Sequence, residues 1–377
     1  MLNLLRLLSL SYSEIKAHSL TGRYITNAHI EPLLTQLNPL VFKTEIGHSV
    51  NGLPIYKLRF GRGETKIMMW SQMHGNESTT TKALFDFLNF IKKDSFYLDN
   101  FSFSLIPILN PDGAKIYTRV NANLVDLNRD ARLQSQLETK FLFDEFNQFR
   151  PDYCFNLHGQ RTIYSVGLKG NSSVLSFLAP SQDENRSVSS NRLKAMTLIG
   201  HCYEKMSVRL PNGISLYDDT FNGDCTGDTF QSLGAATLLF EAGHFPGDYQ
   251  REKTRRFVFE ALISVIDAIS LDLEDSMVIY KQIPSNAKSY FDVIIRNTPF
   301  NDGAIGDIAI QYKEQLVDEA IKFIPTVEKM RLLDNYIGHK EINAHGKQVF
   351  TTGDLTLKIG DEIDFVVIEN EKILIKP

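Results

Sequence analysis

The chain has 377 residues, of which 43% are hydrophobic, with a formal net charge of -5 and an isoelectric point near 6.0. That length and apolar content suit one large domain with a full core and a smaller second domain. An acidic balance without a long basic run argues against nucleic acid as a partner. No apolar stretch approaches the roughly 20 residues that a membrane helix needs, so we predict no membrane span.

Cysteine usage and the N-terminus bear on localisation. Three widely spaced cysteines, Cys154, Cys202 and Cys225, predict reduced thiols and neither a disulfide framework nor a cysteine zinc site. The first 20 residues contain a short apolar run broken by Arg6, and no clear small-residue cleavage site follows it. We therefore predict an amphipathic helix there and a cytoplasmic protein, with secretion or a periplasmic location as the alternative. The sequence carries no signal of oligomeric state.

The first chemically suggestive segment is a loop between a strand and a helix. Residues 66–70 (KIMMW) are strand-like, and residues 78–92 carry the apolar spacing of a helix. His74 and Glu77 lie between them, and zinc accepts both imidazole nitrogen and carboxylate oxygen as ligands. Taken alone, the pair is more typical of an ordinary polar histidine beside a glutamate that is favoured at a helix start. A zinc site would need a third ligand from elsewhere.

A second strand and a polar segment follow. Residues 101–109 are apolar and β-rich, and they end in the turn sequence NPDG. Residues 116–131 are polar and Asn-rich and carry Arg119, Asn128 and Arg129. Arginine presents a planar set of donors suited to carboxylates and oxyanions, whereas the simpler interpretation is a solvated loop with surface arginines.

Two further strand ends carry polar residues. The short β run at 152–157 is followed by His158, and the apolar run at 237–240 is followed by Glu241. Residues 211–230, which lie between these runs, hold several glycines and acids and predict a long mobile loop.

The alternation of helix and strand patterns stops after a predicted helix at 252–271. Beyond it, short period-2 apolar runs separated by turn residues predict a small β-rich domain with one helix near 313–321. We therefore expect a large domain at 1–275 and a small β-rich domain at 276–377.

In proteins with an open α/β sheet, substrates and other bound molecules lie at the carboxyl ends of the strands. Because His74, His158 and Glu241 each follow a strand-like run, the sheet can bring them together. Two imidazoles and a carboxylate for zinc, a second carboxylate for proton transfer and nearby arginines are the groups that metal-assisted amide hydrolysis requires. Zinc lowers the pKa of its water, and the second carboxylate takes the proton and passes it to the leaving amine.

The pattern resembles the zinc metallocarboxypeptidases of the carboxypeptidase A type over about residues 40–275. Five ordered pieces carry the resemblance: HGNE, NPDG, R-x-N with DLNR, the strand-end His in NLHG and the strand-end Glu in LLFEAG. The resemblance implies an α/β fold with a mixed sheet of about eight strands between helices, and a zinc-dependent carboxypeptidase acting beside a free carboxylate.

The resemblance also implies roles for individual residues. One Zn²⁺ per chain would be bound by His74, Glu77 and His158, and Glu241 would be the general base. The residues implied to contact the reacting carbonyl or the substrate are Arg119 (carbonyl polarisation and oxyanion), Asn128 and Arg129 (substrate carboxylate) and Tyr217 (the mobile active-site tyrosine). In this sequence Asp130 follows DLNR, where Asn is commoner in the family.

Alternatives remain open at this point. EAG and the appended β-rich domain resemble the aspartoacylase and succinylglutamate desuccinylase branch, which removes acyl groups from amino acids. A murein-peptide amidase is a third version of the same chemistry, and a non-catalytic binding module is a more remote one. The expected substrate is therefore a peptide or an acylated amino acid with a free carboxylate. The sequence assigns no role to Arg161 or to His244.

Overall fold

An eight-stranded mixed sheet occupies the centre of the molecule between residues 42 and 242. The structure is a computed structural model, which describes residues 11–168, 170–271, 273–300, 303–351 and 355–377. The predicted amphipathic helix falls largely on residues 1–10, outside the described residues. None of the helices within the described ranges has the length and apolar character needed to cross a membrane.

The helices, in chain order, are α1 (Tyr12–Ile15), α2 (Asn27–Leu34), α3 (Thr79–Ile91), α4 (Phe96–Asn100), α5 (Pro111–Ile116), α6 (Leu137–Phe149), α7 (Ser190–Ser207), α8 (Thr226–Ser232) and α9 (Glu252–Ile269). The strands are β1 (Phe42–His48), β2 (Pro54–Gly61), β3 (Thr65–Ser71), β4 (Phe101–Ile106), β5 (Tyr153–Gly159), β6 (Ser165–Val166), β7 (Leu175–Leu178), β8 (Ile214–Leu216), β9 (Ala236–Ala242), β10 (Asn286–Ala287), β11 (Tyr290–Pro299), β12 (Ile305–Val317), β13 (Ala320–Arg331), β14 (Ile337–Asn343), β15 (Val349–Phe350), β16 (Phe365–Ile368) and β17 (Glu371–Leu374).

The strand order of the large sheet is β1-β2-β4-β3-β5-β9-β7-β8. Its four central strands, β4, β3, β5 and β9, run parallel to one another, while β2 and β7 flank them in the antiparallel sense. This arrangement confirms the predicted mixed sheet of about eight strands. The carboxyl ends of β3, β5 and β9 therefore lie side by side along one edge.

Alternate residues of the central strands pack into two separate cores. On β3, Ile67 and Met69 pack into the core formed with α3, α7 and α9, whereas Met68 and Trp70 pack into the core formed with α6 and α8. Successive side chains of a strand point to opposite faces, so an apolar run such as KIMMW fits a strand that is covered on both sides. The sheet lies between two layers of helices.

The end of α6 shows how sequence places the next strand. Arg150 closes the helix in a left-handed conformation, with φ of 51°, and Pro151 follows it. Proline disfavours helical conformation in the residue before it, so the chain leaves the helix and enters β5 at Tyr153. Five residues into β5 the chain reaches His158.

The C-terminal part contains two small sheets, β13-β12-β11-β14 and β15-β16-β17, around a core of their own. The helix predicted near 313–321 is wrong. Those residues form the end of β12, a two-residue turn and the start of β13, and both turn residues, Asp318 and Glu319, have positive φ. Such a turn matches the twist of a tight hairpin, which its charged sequence did not suggest.

Contacts between the two parts are direct. The short strand β10 pairs with β6 from the large domain, and His339 on β14 accepts a hydrogen bond from the backbone N–H of Gly247 at 2.9 Å. The proposed boundary between residues 275 and 276 stays a prediction.

Candidate active site

The strand ends bring the predicted metal ligands together. His74 lies three residues beyond the end of β3, His158 is the penultimate residue of β5, and Glu241 is the penultimate residue of β9. His158 and Glu241 are direct cross-strand partners. Side chains of paired residues point to the same face of a sheet, so the register of β5 and β9 places these two groups beside each other.

His74, Glu77 and His158 form a compact, buried cluster whose candidate ligand atoms all lie within 4.8 Å of one another. The Nδ1 atom of His74 lies 2.9 Å from one carboxylate oxygen of Glu77, and the Nδ1 atom of His158 lies 3.0 Å from the other. The two Nδ1 atoms are 3.2 Å apart.

These distances fit a tetrahedral zinc ion. With zinc–nitrogen bonds of about 2.0–2.1 Å, neighbouring ligand atoms of a tetrahedron lie about 3.3 Å apart. Two nitrogens and an acidic oxygen that converge at such spacing are also the donor set typical of catalytic zinc sites, which retain one open position. His74, Glu77 and His158 are therefore suited to hold the metal.

Hydrogen bonds from residues outside the cluster orient two of the candidate metal ligands, Glu77 and His74. The backbone N–H of Gly159 donates to Glu77 Oε2 at 3.0 Å, and Nε2 of His74 lies 3.1 Å from a carboxylate oxygen of Asp126. A carboxylate on the far nitrogen fixes the tautomer and ring orientation of a metal-binding histidine. Sequence reasoning did not assign Asp126, although it is the first residue of the DLNR motif.

Arg119 lies at the rim of the cluster. Its Nε donates to Asp126 Oδ2 at 2.9 Å, and one terminal nitrogen lies 3.5 Å from Glu77 Oε1. The guanidinium remains nearly half exposed. Arg119 is thus held beside the predicted metal position while its side chain stays partly exposed to solvent.

The charged groups shift one another's pKa values. Burial alone raises the pKa of Glu77, but the neighbouring His74 and His158 outweigh burial and hold it well below the usual value. Burial lowers the pKa of His158. Burial opposes protonation of His74 too, yet the Glu77 carboxylate raises its pKa overall.

Glu241 differs from Glu77. Burial, followed by the charge of Glu77, raises the pKa of Glu241 well above the usual value. Its Oε2 atom has no hydrogen-bond partner among the described residues. A divalent cation in the cluster would favour the ionised form, because the ion is the largest local charge. Glu241 is therefore a carboxylate with a free acceptor atom beside the metal cluster.

Comparison with known proteins shows which family the segment around the metal cluster is similar to. The sequence model described as zinc carboxypeptidase matches residues 26–198, a segment that contains His74, Glu77 and His158. This segment, somewhat less than half of the chain, is similar to the zinc carboxypeptidases. Glu241 and Tyr217 lie beyond the matched segment.

One curated relative is also a carboxypeptidase by its name. The chain is 30% identical over 167 residues to carboxypeptidase SOL1 of Arabidopsis thaliana, an alignment that covers 37% of this chain and 34% of that protein. The chain thus spans about a third of the length of this curated relative.

Solved structures show the same fold. A metallo-carboxypeptidase from Burkholderia cenocepacia superposes with a TM-score of 0.53 at 18% identity, covering 65% of this chain and 69% of that one. Carboxypeptidase A from Helicoverpa armigera gives a TM-score of 0.51 at 18% identity, covering 65% and 71%.

Asn128 and Arg129 lie in a 3-10 turn, Leu127–Arg129, directly after Asp126. The Asn128 side-chain oxygen accepts a hydrogen bond from the backbone N–H of Thr226 at 3.1 Å. Arg129 donates to the carbonyl oxygen of Asn128 at 2.7 Å and lies 3.1 Å from the sulfur of Cys225. The turn is thereby held between the metal cluster and α8.

Tyr217 immediately follows β8, and its backbone N–H donates to Phe177 at 2.9 Å. Its ring packs against Tyr164 with a centroid distance of 5.6 Å. Burial, then the charge of Glu241, raises the pKa of Tyr217. Tyr217 thus lies at a strand end, and the loop predicted at 211–230 is shorter than expected because β8 and the start of α8 lie within that range.

His244 contributes to packing. It is buried between Tyr249 and His339, with ring centroids at 4.7 and 4.9 Å, and burial holds its pKa well below the usual value. Its contacts lie toward the C-terminal sheet, so His244 stays outside the metal cluster.

Proposed function

We propose that the protein is a zinc-dependent metallocarboxypeptidase that hydrolyses an amide or peptide bond next to a free carboxylate. The observation that carries the proposal is the convergence of His74, Glu77 and His158 on one point, with Glu241 paired to His158 in the adjacent strand. One Zn²⁺ per chain would occupy that point. When bound, zinc supplies a Lewis acid that polarises the scissile carbonyl and makes a water molecule more acidic.

Glu241 acts as the proton carrier in this proposal. Its unpartnered Oε2 atom accepts the proton of the attacking water, and the same oxygen returns that proton to the leaving amine. The carboxylate must be ionised before each turnover, and a cation held by His74, Glu77 and His158 would favour that ionised form.

Arg119 stabilises the negative charge that develops on the carbonyl oxygen. Its guanidinium is already oriented by Asp126, so little reorganisation accompanies the reaction. Asn128 and Arg129 bind the terminal carboxylate of the substrate, because the arginine fork matches the geometry of a carboxylate. Tyr217 would close over the substrate from the end of β8.

The experiment is a hydrolysis assay with defined substrate classes. Zinc-loaded protein is incubated with N-blocked dipeptides that carry either a free or an amidated C-terminus, together with N-acyl amino acids and murein peptides. We expect hydrolysis of the free dipeptides and strong discrimination against the amidated ones. Preference for N-acyl amino acids or murein fragments would instead indicate the deacylase or amidase alternatives, and zinc binding without any turnover would indicate a binding module.

A further inference from the structure

Glu314, on β12 of the C-terminal sheet, is a buried carboxylate that contacts the large domain. Its side chain is 3% exposed. We propose that Glu314 is a positioning residue for the metal loop, through which the C-terminal sheet holds residues 74–78 in place. The inference deepens the proposed zinc carboxypeptidase function and rests on it for the role of that loop.

The first connection passes through Arg161. Arg161 Nε pairs with Glu314 Oε2 at 3.0 Å. The side-chain oxygen of Asn76, in the amide orientation that satisfies its neighbours, accepts a hydrogen bond from Nη1 of Arg161 at 2.8 Å. Asn76 immediately precedes the metal ligand Glu77. A single arginine therefore links the side-chain carboxylate of Glu314 to the metal loop.

The second connection passes through Arg23. Nη2 of Arg23 pairs with the other carboxylate oxygen of Glu314 at 2.7 Å, and both side chains are almost fully buried. The backbone carbonyl of Arg23 accepts a hydrogen bond from the hydroxyl of Ser78 at 2.5 Å. Ser78 immediately follows Glu77. The residues on both sides of this metal ligand are thus tied to arginines that share one carboxylate.

A third contact reaches the segment that carries Arg119. The hydroxyl of Tyr117 donates to Glu314 Oε2 at 2.8 Å, and the backbone N–H of Arg119 donates to the side-chain oxygen of Asn76 at 3.3 Å. Glu314 therefore contacts, directly or through one arginine, both chain segments that build the rim of the metal cluster.

The charge balance explains why a carboxylate is needed at this position. Burial alone would raise the pKa of Glu314, but Arg23 and then Arg161 lower it, so the group is ionised. Without that charge two arginines would remain unpaired near a cation site, and the buried Arg23 would lose its partner. The orientation of Asn76 and Ser78 would then be less restricted.

The experiment compares Glu314→Gln, Glu314→Asp and Arg161→Ala with two control variants. Tyr290→Phe removes another hydrogen bond between the domains, the one from Tyr290 to the carbonyl of Gly170. Glu341→Gln removes a carboxylate of the same sheet that pairs with Arg296. The whole chain is used for each variant. The readouts are amide hydrogen exchange of residues 72–80 in the metal-free protein, the zinc dissociation constant from chelator competition, and the thermal midpoint.

We expect Glu314→Gln and Arg161→Ala to speed exchange across residues 72–80 and to raise the zinc dissociation constant about tenfold, as loss of outer ligand support does in other metal sites. Glu314→Asp should restore part of the loss, and both controls should stay within about twofold of the wild type. Because Arg161 is partly exposed, its variant keeps the test decisive if Glu314→Gln fails to fold.

Two results would overturn the inference. The first is that Arg161→Ala and every folded Glu314 variant show the same amide exchange rates and the same zinc affinity as the wild type. The other is an equal loss in the controls, which would show a general effect of domain stability. Absence of peptide hydrolysis by the wild type would count against the proposed function alone, since loop exchange is measured without metal or substrate.

Discussion

Asp126 lies 3.1 Å from Nε2 of His74, on the far side of the ring from the Nδ1 atom that faces Glu77 and His158. The same carboxylate accepts a hydrogen bond from Arg119 at 2.9 Å. One side chain thus orients a proposed metal ligand and the proposed oxyanion donor. Burial raises the pKa of Asp126, but His74 and Arg119 together lower it, so Asp126 is ionised at neutral pH.

Replacing Asp126 with Asn should weaken both functions. We expect zinc affinity to fall about 10- to 100-fold, the usual cost of losing a carboxylate behind a metal-binding histidine. Chelator competition measures this directly. Asp224→Asn is a suitable control, because Asp224 lies on the neighbouring loop and pairs with the exposed Arg132. Unchanged affinity in Asp126→Asn would mean that His74 is oriented without it.

Replacing Glu241 with Gln should separate binding from turnover. The amide cannot accept the proton of the attacking water, so kcat should fall by about 10²- to 10⁴-fold. Zinc content should stay at one ion per chain, because Glu241 is not among the three converging ligands. Steady-state kinetics with metal analysis checks both. Retention of wild-type kcat would remove Glu241 from the role of general base.

Replacing Arg129 with Ala should weaken the binding of substrates with a free C-terminal carboxylate more than that of substrates with an amidated C-terminus. The Michaelis constant for free dipeptides should rise about 10- to 100-fold, because a charged hydrogen-bond partner of the carboxylate is lost. Amidated dipeptides should change little. Arg132→Ala provides the control, since Arg132 is a nearby but mostly exposed arginine. Equal losses on both substrate types would show that Arg129 does not bind the carboxylate.

Replacing Glu252 with Gln should alter stability in acid. Burial raises the pKa of Glu252, but Lys82 and Lys16 outweigh burial and lower it to about 2. Because the folded-state pKa lies below the unfolded value, the stabilisation is complete above about pH 4.5 and is lost as the pH falls toward 2. We expect the variant to be about 1 to 3 kcal/mol less stable at pH 7.

Urea unfolding at pH 7, 4.5 and 3 measures the difference between Glu252→Gln and the wild type. The difference in the free energy of unfolding between the variant and the wild type should become smaller as the pH falls. Glu369→Gln, which breaks an exposed pair with Lys347, should show no such pH dependence. If the difference in the free energy of unfolding is the same at all three pH values, Glu252 is not the source of the acid sensitivity.

The strand ends of the large domain were predictable from sequence for a physical reason. A strand covered on both faces is largely apolar, so polar residues near its end indicate the edge of the sheet. His158 and Glu241 were found in this way, and their pairing across β5 and β9 confirms that the pattern located neighbouring strand ends.

The structure of the C-terminal sheet was harder to predict from the sequence. The segment at 313–321 mixes charged and apolar residues, and its positive-φ turn at Asp318 and Glu319 contains neither Gly nor Asn. Glu314 could not be recognised, because its partners Arg23 and Arg161 lie far away in the chain. A contact between distant segments leaves no local pattern, so only the three-dimensional structure reveals it.

The most direct test of the account is an anomalous difference map from crystals of the zinc-loaded protein, recorded at the zinc absorption edge. We predict one peak per chain, within about 2.0–2.2 Å of Nδ1 of His74, Nδ1 of His158 and a carboxylate oxygen of Glu77. A peak bound by other side chains, or no peak in a protein shown to be folded, would contradict the claim that these three residues hold the metal.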